Sequence, residues 1–583
     1  MHRFQNKTQM ILRFLEGSKR YFLLGALSGC LVVFFDLINP RIIGYTVDHV
    51  IGDPQGGKLL GRVALAVLGL ALAGAVFRYC FQYFNSRGAE QFVKRMRDSL
   101  YEQIASMPFS WYTQQKAGDL LQRCTSDVET IKRFLQEQLT SLLRIVIMIV
   151  FAVAFMLQIH TKLTFYACLV VPVVFFYSLY FHEKIGSAFE RADNAEGKLS
   201  AVAQENLTGV RVVRAFGREL YERERFEKQN DEYTGMWVHL MNLLSVFWAS
   251  NDLIYGAQIL LVLSLGAVYC VRGEISAGQY LAFISYNHML TWPVRVLGRV
   301  VSEMSKMGIS ADRILYIMNA VPEQDVPETV KGDYSKEICF EHVSFTYPGT
   351  EKEVLSDISF RIPAGKTVGI LGGTGAGKST LVHLLNRLYQ LEDGQGRITI
   401  GGTDIRRLPA QELRRHVGLV LQEPYLFSRT LAENICIAAD HADEEEMEEA
   451  VRVSSLKTTI RRFTEGYQTF VGERGVTLSG GQKQRTAIAQ MLIGRPEIMI
   501  FDDALSAVDA ETDARIRREI RKYTEGATVI LISHRITTLM QADEILVLEH
   551  GRITEQGTHE ELLEKQGVYR QIYDLQTSRE SEG

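Results

Sequence analysis

Six long apolar runs in the first half of the chain limit its fold more than any other sequence feature. They cover about residues 21–47, 63–85, 138–159, 163–181, 246–271 and 279–305, and each is long enough to cross the hydrocarbon of a bilayer. No water is present there to pair the backbone, so each run has to be a helix. The expectation is a six-span α-helical membrane domain within residues 1–320. A polar linker follows at 321–335, and residues 336–583 have the composition of a soluble α/β domain.

Lysine and arginine sort the connections between the runs. Lys7, Arg13, Lys19 and Arg20 precede the first. Arg87, Lys94, Arg95, Arg97, Lys116, Arg123, Lys132 and Arg133 lie between the second and third, and Lys184, Arg191, Lys198, Arg211 and Arg214 between the fourth and fifth. The other three connections carry only Lys58 with Arg62, Lys162, and Arg272. Both termini and the two long connections are therefore expected in the cytoplasm. The basic start of the chain, with Met10, Ile11, Leu12, Phe14 and Leu15 interspersed, reads as an interfacial amphipathic helix and not as a cleaved signal.

The two long connections have few helix breakers, so spans two to five should continue well past the membrane as helices. Each connection has one punctuated segment, 108–119 and 206–217, placed to touch a cytoplasmic domain. Ionisable residues inside the runs are Asp36, Arg78, Asp252, His288, Arg295 and Arg299; such groups are costly in lipid and are candidates for a polar cavity or for structural pairs. Pro40 and Pro293 should kink their spans. The seven cysteines are scattered, with no metal spacing, and a net charge of −4 gives no reason to expect a nucleic-acid partner.

In the second half, Leu371 to Thr380 reads LGGTGAGKST. Residues 372–379 satisfy the phosphate-loop pattern, with an apolar strand before it and a helix after it. The backbone of Gly372, Gly373, Thr374, Gly375, Ala376 and Gly377 can point several N–H groups at a polyphosphate, with Thr380 just inside the helix. Lys378 would reach the terminal phosphates, and the Ser379 hydroxyl would take one position on Mg²⁺. Residues 337–347 alternate as a half-buried strand does, ending in Tyr347, an aromatic that can stack on a purine. Gln422 ends another apolar strand, where a neutral amide can approach Mg²⁺ or a water. In LSGGQ at 478–482, Ser479 caps a helix whose first N–H groups, at Gly480, Gly481 and Gln482, form a second anion-binding end. The strand 498–502 ends in Asp502, suited to hold Mg²⁺, followed by Asp503, suited to orient a water. His534 ends a further strand, where it can touch a γ-phosphate or that water.

Together these residues resemble the ATP-binding cassette (ABC) family across essentially the whole chain, with LSGGQ the most specific element. Six spans and one cassette resemble a half-transporter of the exporter (type IV) fold, among multidrug and lipid exporter relatives. The resemblance implies ATP and Mg²⁺ as ligands, and a second half-transporter as partner, each ATP lying between one half's phosphate loop and the other's LSGGQ. It implies Tyr347 as the adenine-stacking ring, Gln422 as the Q-loop residue, Asp509 as the D-loop carboxylate and His534 as the switch histidine. Segments 112–119 and 206–215 would be the coupling helices, and 471–475 the loop that meets them. It also implies a bacterial inner or plasma membrane, with the ATPase domain cytoplasmic and an amphipathic small molecule as substrate.

One position departs from the family pattern. The family usually has Glu after the Mg²⁺-binding Asp, whereas this chain has Asp503. Losing a methylene withdraws the carboxylate by roughly 1 Å, and a misplacement of that size can cost on the order of 100-fold in rate. With its LSGGQ intact, the chain resembles the degenerate-site subunit of a heterodimeric exporter. Competing readings are an exporter-fold importer of metal–siderophore complexes, and a channel-type or regulatory ABC protein with slow hydrolysis.

Overall fold

A computed structural model describes residues 4–51, 56–326, 328–439, 441–504, 510–523 and 525–581. The chain divides into two units, Met1–Ser106 with Gln115–Val321, and Met107–Gln114 with Pro322–Gly583.

In the first unit a short helix α1 (Lys7–Leu15) precedes α2 (Lys19–His49) and α3 (Gly56–Ala105). In the second unit's first segment lies α4 (Phe109–Thr113). The first unit resumes with α5 (Ala117–Ile159), α6 (Thr161–Thr208), α7 (Val210–Ala215), α8 (Glu219–Val271) and α9 (Ala277–Met318). Among the described residues α2, α5, α6, α8 and the stretch Leu59–Ala105 of α3 are long and apolar enough to cross a membrane. Helix α9 spans the sixth apolar run; the side chains at 294–299, Arg295 and Arg299 among them, lie outside the described residues. The expected continuation of the spans as long helices is observed: α3, α6 and α8 run for 50, 48 and 53 residues.

Packing in this unit follows the rules of an apolar solvent, where small residues and paired polar groups hold helices together. Gly44 of α2 and Gly278 of α9 bring their backbones into contact, since a Cβ on Gly278 would stand 2.0 Å from the Gly44 carbonyl oxygen. Asp48 completes that crossing by accepting from Gly278 N at 2.7 Å and from the Ser276 hydroxyl. Buried polar groups find partners across helices: Tyr286 Oη donates to Leu37 O at 3.0 Å, and Gln258 Nε2 to Asn287 Oδ1 at 3.0 Å. Asp36 pairs with Arg78 at 3.4 Å. Asp252 stands on α8 one turn before Tyr255, whose hydroxyl lies 2.7 Å from His288 Nδ1. Pro40 and Pro293 are both accommodated inside continuous helices.

The apolar stripe of α1 is divided. Met10 and Phe14 are buried on the protein, with the Phe14 ring edge-on to Phe92 at 6.4 Å, and Leu12 is exposed. The backbone of Phe4 is bound at both ends by one side chain, giving its N–H to Asn319 Oδ1 and taking Asn319 Nδ2, at 2.8 and 2.9 Å.

Among the described residues the second unit contains two larger sheets and a two-stranded ladder that pairs Arg429–Thr430 with Phe470–Val471. A four-stranded antiparallel sheet orders β2 (Glu353–Ile362), β1 (Ile338–Thr346), β4 (Arg397–Ile400) and β5 (Thr403–Asp404). The strand expected at 337–347 is β1. A six-stranded sheet is built on β3 (Thr367–Gly372), flanked by β8 (Thr528–Ile532) and β9 (Glu544–Glu549), with β7 (Ile498–Asp502) and β6 (Val417–Val420) beyond β8. These five run parallel, and β10 (Arg552–Gly557) closes the far edge antiparallel. Period-two alternation sends neighbouring residues to opposite faces. Ile498, Ile500, Ile530 and Ile532 enter one core with Leu381 and Leu385, while Met499, Phe501 and Val529 enter a second core with Leu478, Ile488 and Leu492.

Candidate nucleotide site

The phosphate loop joins β3 to helix α10 (Lys378–Leu385). Two of its glycines are required by shape. Gly377 has φ 101°, and a Cβ there would meet Leu355 Cδ2 at 2.6 Å; Gly375 has φ 80°. Both lie in the left-handed region that side chains disfavour. Lys378 Nζ donates to the carbonyls of Gly372 and Gly373 at 2.9 Å each, so the ammonium is held over the loop it belongs to. Burial pushes its pKa down, opposed by Asp502 and Asp503. Ser379 Oγ donates to Asp502 Oδ2 at 2.6 Å, joining the loop to the end of β7. Asp502 is buried, and that burial pushes its carboxyl above the usual range.

Asp503 adopts φ 49° as the chain leaves β7. Its Oδ2 lies 2.7 Å from His534 Nδ1, and its Oδ1 accepts from Ser533 Oγ at 3.5 Å. Parallel pairing of β8 with β7, with Ile532 opposite Asp502, brings these strand ends together. Tyr347 is half-buried; its hydroxyl lies 2.8 Å from Thr380 Oγ1 and burial raises its pKa. Thus Tyr347, 372–380, Asp502, Asp503 and His534 converge on one edge of the parallel sheet, the carboxyl ends of its strands, where α/β folds place ligands.

Other expected residues stand elsewhere. Gln422 is exposed on the loop after β6 and makes no side-chain hydrogen bond among the described residues. Ser479 caps α11 (Gly480–Leu492), accepting from Gln482 N at 3.4 Å, while Gln482 Oε1 accepts from Ser479 N at 2.9 Å. Ser479 and Gly480 are exposed, and no hydrogen bond among the described residues joins 478–482 to the phosphate loop. Asp509 lies outside the described residues. The sequence reading did not single out Ser533, His383 or Tyr389. Ser533 sits directly before His534 at a strand end, a position that could have drawn attention to it.

Residues 22–294 match the ABC transporter transmembrane region and residues 355–506 the ABC transporter family. The chain is 34% identical over 549 residues to a probable multidrug resistance ABC transporter ATP-binding/permease protein of Bacillus subtilis, covering 93% of this chain and 92% of that one. It is 33% identical to YknU, an uncharacterized ABC transporter ATP-binding protein of the same organism, at 96% and 95% coverage. An ATP-dependent lipid A-core flippase of Aromatoleum aromaticum is 32% identical, at 98% and 97% coverage. Among solved structures, a bacterial Atm1-family ABC exporter with ATP bound superposes with a TM-score of 0.80, at 26% identity, over 97% of this chain and 99% of that one.

A helical transmembrane domain followed by one nucleotide-binding cassette defines an ABC half-transporter of the exporter fold. The chain belongs to the ABC transporter family. It is an integral membrane protein that binds ATP and hydrolyses it to drive transport.

Proposed function

We propose that the chain is one half of a heterodimeric exporter of amphipathic small molecules, drug-like compounds or lipids, working by alternating access. Names of relatives, a multidrug protein and a lipid A-core flippase, support that substrate class. The observation that carries the heterodimer is the engagement of Asp503: its shortened side chain points both oxygens at neighbours, His534 and Ser533. A carboxylate held back in this way is poorly placed to orient water, so the chain's own phosphate loop forms the slow site. Its LSGGQ, exposed at Ser479 and Gly480, serves the competent site of a partner half.

In this reading residues 1–320 form the membrane domain, 321–335 the linker and 336–583 the cassette. The cassette and both termini face the cytoplasm of a bacterial inner or plasma membrane. Tyr347 stacks on adenine, and the amides of 372–377 with Lys378 and Thr380 hold the phosphates. Asp503 and His534 flank the γ-phosphate, Gln422 closes over it, and Ser479, Gly480, Gly481, Gln482 and Asp509 meet the partner's nucleotide. The donor set fits Mg²⁺: Ser379 and Asp502 present two oxygens already joined by a hydrogen bond. Magnesium is commonly held by one or two protein oxygens with phosphate and water completing its shell. Bound there, it would neutralise charge on the phosphates.

The test is ATP turnover of the purified chain alone against the chain with its partner half. Poor turnover alone and substrate-stimulated turnover together are expected. Robust, stimulated turnover by the chain alone that is lost on Asp503→Asn would overturn the asymmetric reading.

A further inference from the structure

One buried polar atom beside the nucleotide site has no role in the account above. His383 stands on α10 four residues after Ser379, on the same helix face. Its Nδ1 is buried and has no hydrogen-bond partner among the described residues. Ser379, one turn earlier on that face, donates to Asp502 Oδ2 at 2.6 Å, so the imidazole shares its face of α10 with the group that holds Asp502; burial holds the ring below its usual pKa range. The ring also approaches two aromatic rings, Tyr389 at 6.2 Å and Phe109 at 6.4 Å between centroids.

Those rings form a chain of their own. Phe109 meets Tyr389 edge-on at 5.6 Å, and Tyr389 meets Tyr347 edge-on at 4.9 Å. Tyr347 is in turn bonded to Thr380 on α10. Phe109 therefore reaches the phosphate-loop helix by two routes, one through Tyr389 and Tyr347, the other through His383. By sequence Phe109 belongs to the long connection between spans two and three, yet residues Met107–Gln114 group with the cassette. Close-packed rings transmit displacement with little slack. An imidazole nitrogen buried without a partner is a group that any rearrangement at Asp502 can capture or release.

We propose that His383 is a positioning residue that links the Asp502 side of the nucleotide site to the Phe109–Thr113 helix. Changes at Asp502 on nucleotide binding shift the imidazole, and the imidazole shifts Phe109. The same contact carries movement of that helix back to Asp502. The proposal rests on the reading of 372–380 and Asp502 as a Mg-ATP site.

Trp111, two residues beyond Phe109, supplies the reporter. In the full-length chain in lipid nanodiscs, Trp237, Trp248 and Trp292 are replaced by Phe, leaving Trp111 as the only indole. Its emission is recorded on adding a non-hydrolysable ATP analogue with Mg²⁺, and binding of trinitrophenyl-ATP is measured in parallel. We expect the analogue to change Trp111 emission in this parent. His383→Leu, which keeps much of the volume but removes both nitrogens, should lose most of that change, as should Phe109→Ala. His383→Gln should restore it. Trinitrophenyl-ATP affinity should stay within about threefold in all three. A response in His383→Leu equal to the parent's overturns the proposal, and so does a Gln variant that behaves like Leu. Failure of the parent to bind trinitrophenyl-ATP would instead refute the underlying site reading.

Discussion

His534 Nδ1 and Asp503 Oδ2 stand 2.7 Å apart across two parallel strand ends, 31 residues apart in sequence. With Nδ1–H donating to the carboxylate, a neutral imidazole presents Nε2 as an acceptor only. It then has no donor for a phosphate oxygen unless the ring is protonated or the pair opens. In a complex with a partner half carrying Glu, Asp503→Asn is therefore expected to lower turnover by less than about tenfold. Ser479→Arg or Gly481→Asp should abolish it. Steady-state ATPase assays decide this, and equal losses from Asp503→Asn and Ser479→Arg would contradict it.

Lys378 holds its ammonium on two carbonyls of its own loop, which fixes the charge over the phosphate loop. Lys378→Ala removes a charge-assisted donor to phosphate. Mg-ATP affinity at this chain's site should fall by about 10- to 100-fold. Equilibrium binding of a fluorescent nucleotide measures it, and unchanged affinity would refute the role.

Asp36 and Arg78 pair between α2 and α3. Asp36→Asn leaves the guanidinium without its carboxylate in an apolar span, which is costly. Transport preference should move away from cationic dyes, and Arg78→Gln in the same chain should restore much of the original profile. If a panel of cationic and neutral dyes is carried identically by all three chains, the pair is structural.

Asp543 ties a loop of the cassette to the start of β3. Burial raises its carboxyl pKa, but the Thr367 N–H at 2.8 Å and the Lys366 ammonium at 2.9 Å outweigh it and the net shift is downward. A depressed carboxylate stabilises the fold above its unfolded pKa, about 3.9, and loses that contribution as pH falls through the folded value. Asp543→Asn should lower the melting temperature at pH 7, with the gap from wild type closing below about pH 4. A gap that stays constant down to acid pH would rule out this linkage.

Most of the architecture was legible from local pattern. Apolar length marked the membrane helices, alternation marked β1, and the glycine spacing at 372–377 marked a loop whose left-handed positions the structure places at Gly375 and Gly377. What local pattern cannot carry is tertiary destination. Phe109 lies in the punctuated segment 108–119, expected to touch a cytoplasmic domain, but nothing near it in sequence points to Tyr389 or His383 as the residues it meets. The short reach of Asp503 was visible as a substitution, but its pairing with His534 depends on the register of β7 with β8. Met10 and Phe14 read as a lipid-facing stripe because burial against Phe92 and burial in lipid favour the same residues.

The alternation of β7 and β8 has a mechanical consequence. Ile500 and Met499 are neighbours in the chain but belong to different cores, so these strands are a party wall between two rooms. Neither lobe of the cassette can melt while leaving the wall intact for the other. Heating should therefore give the cassette one transition, and trimming a methyl from Ile500 or shortening Met499 should lower the same melting point.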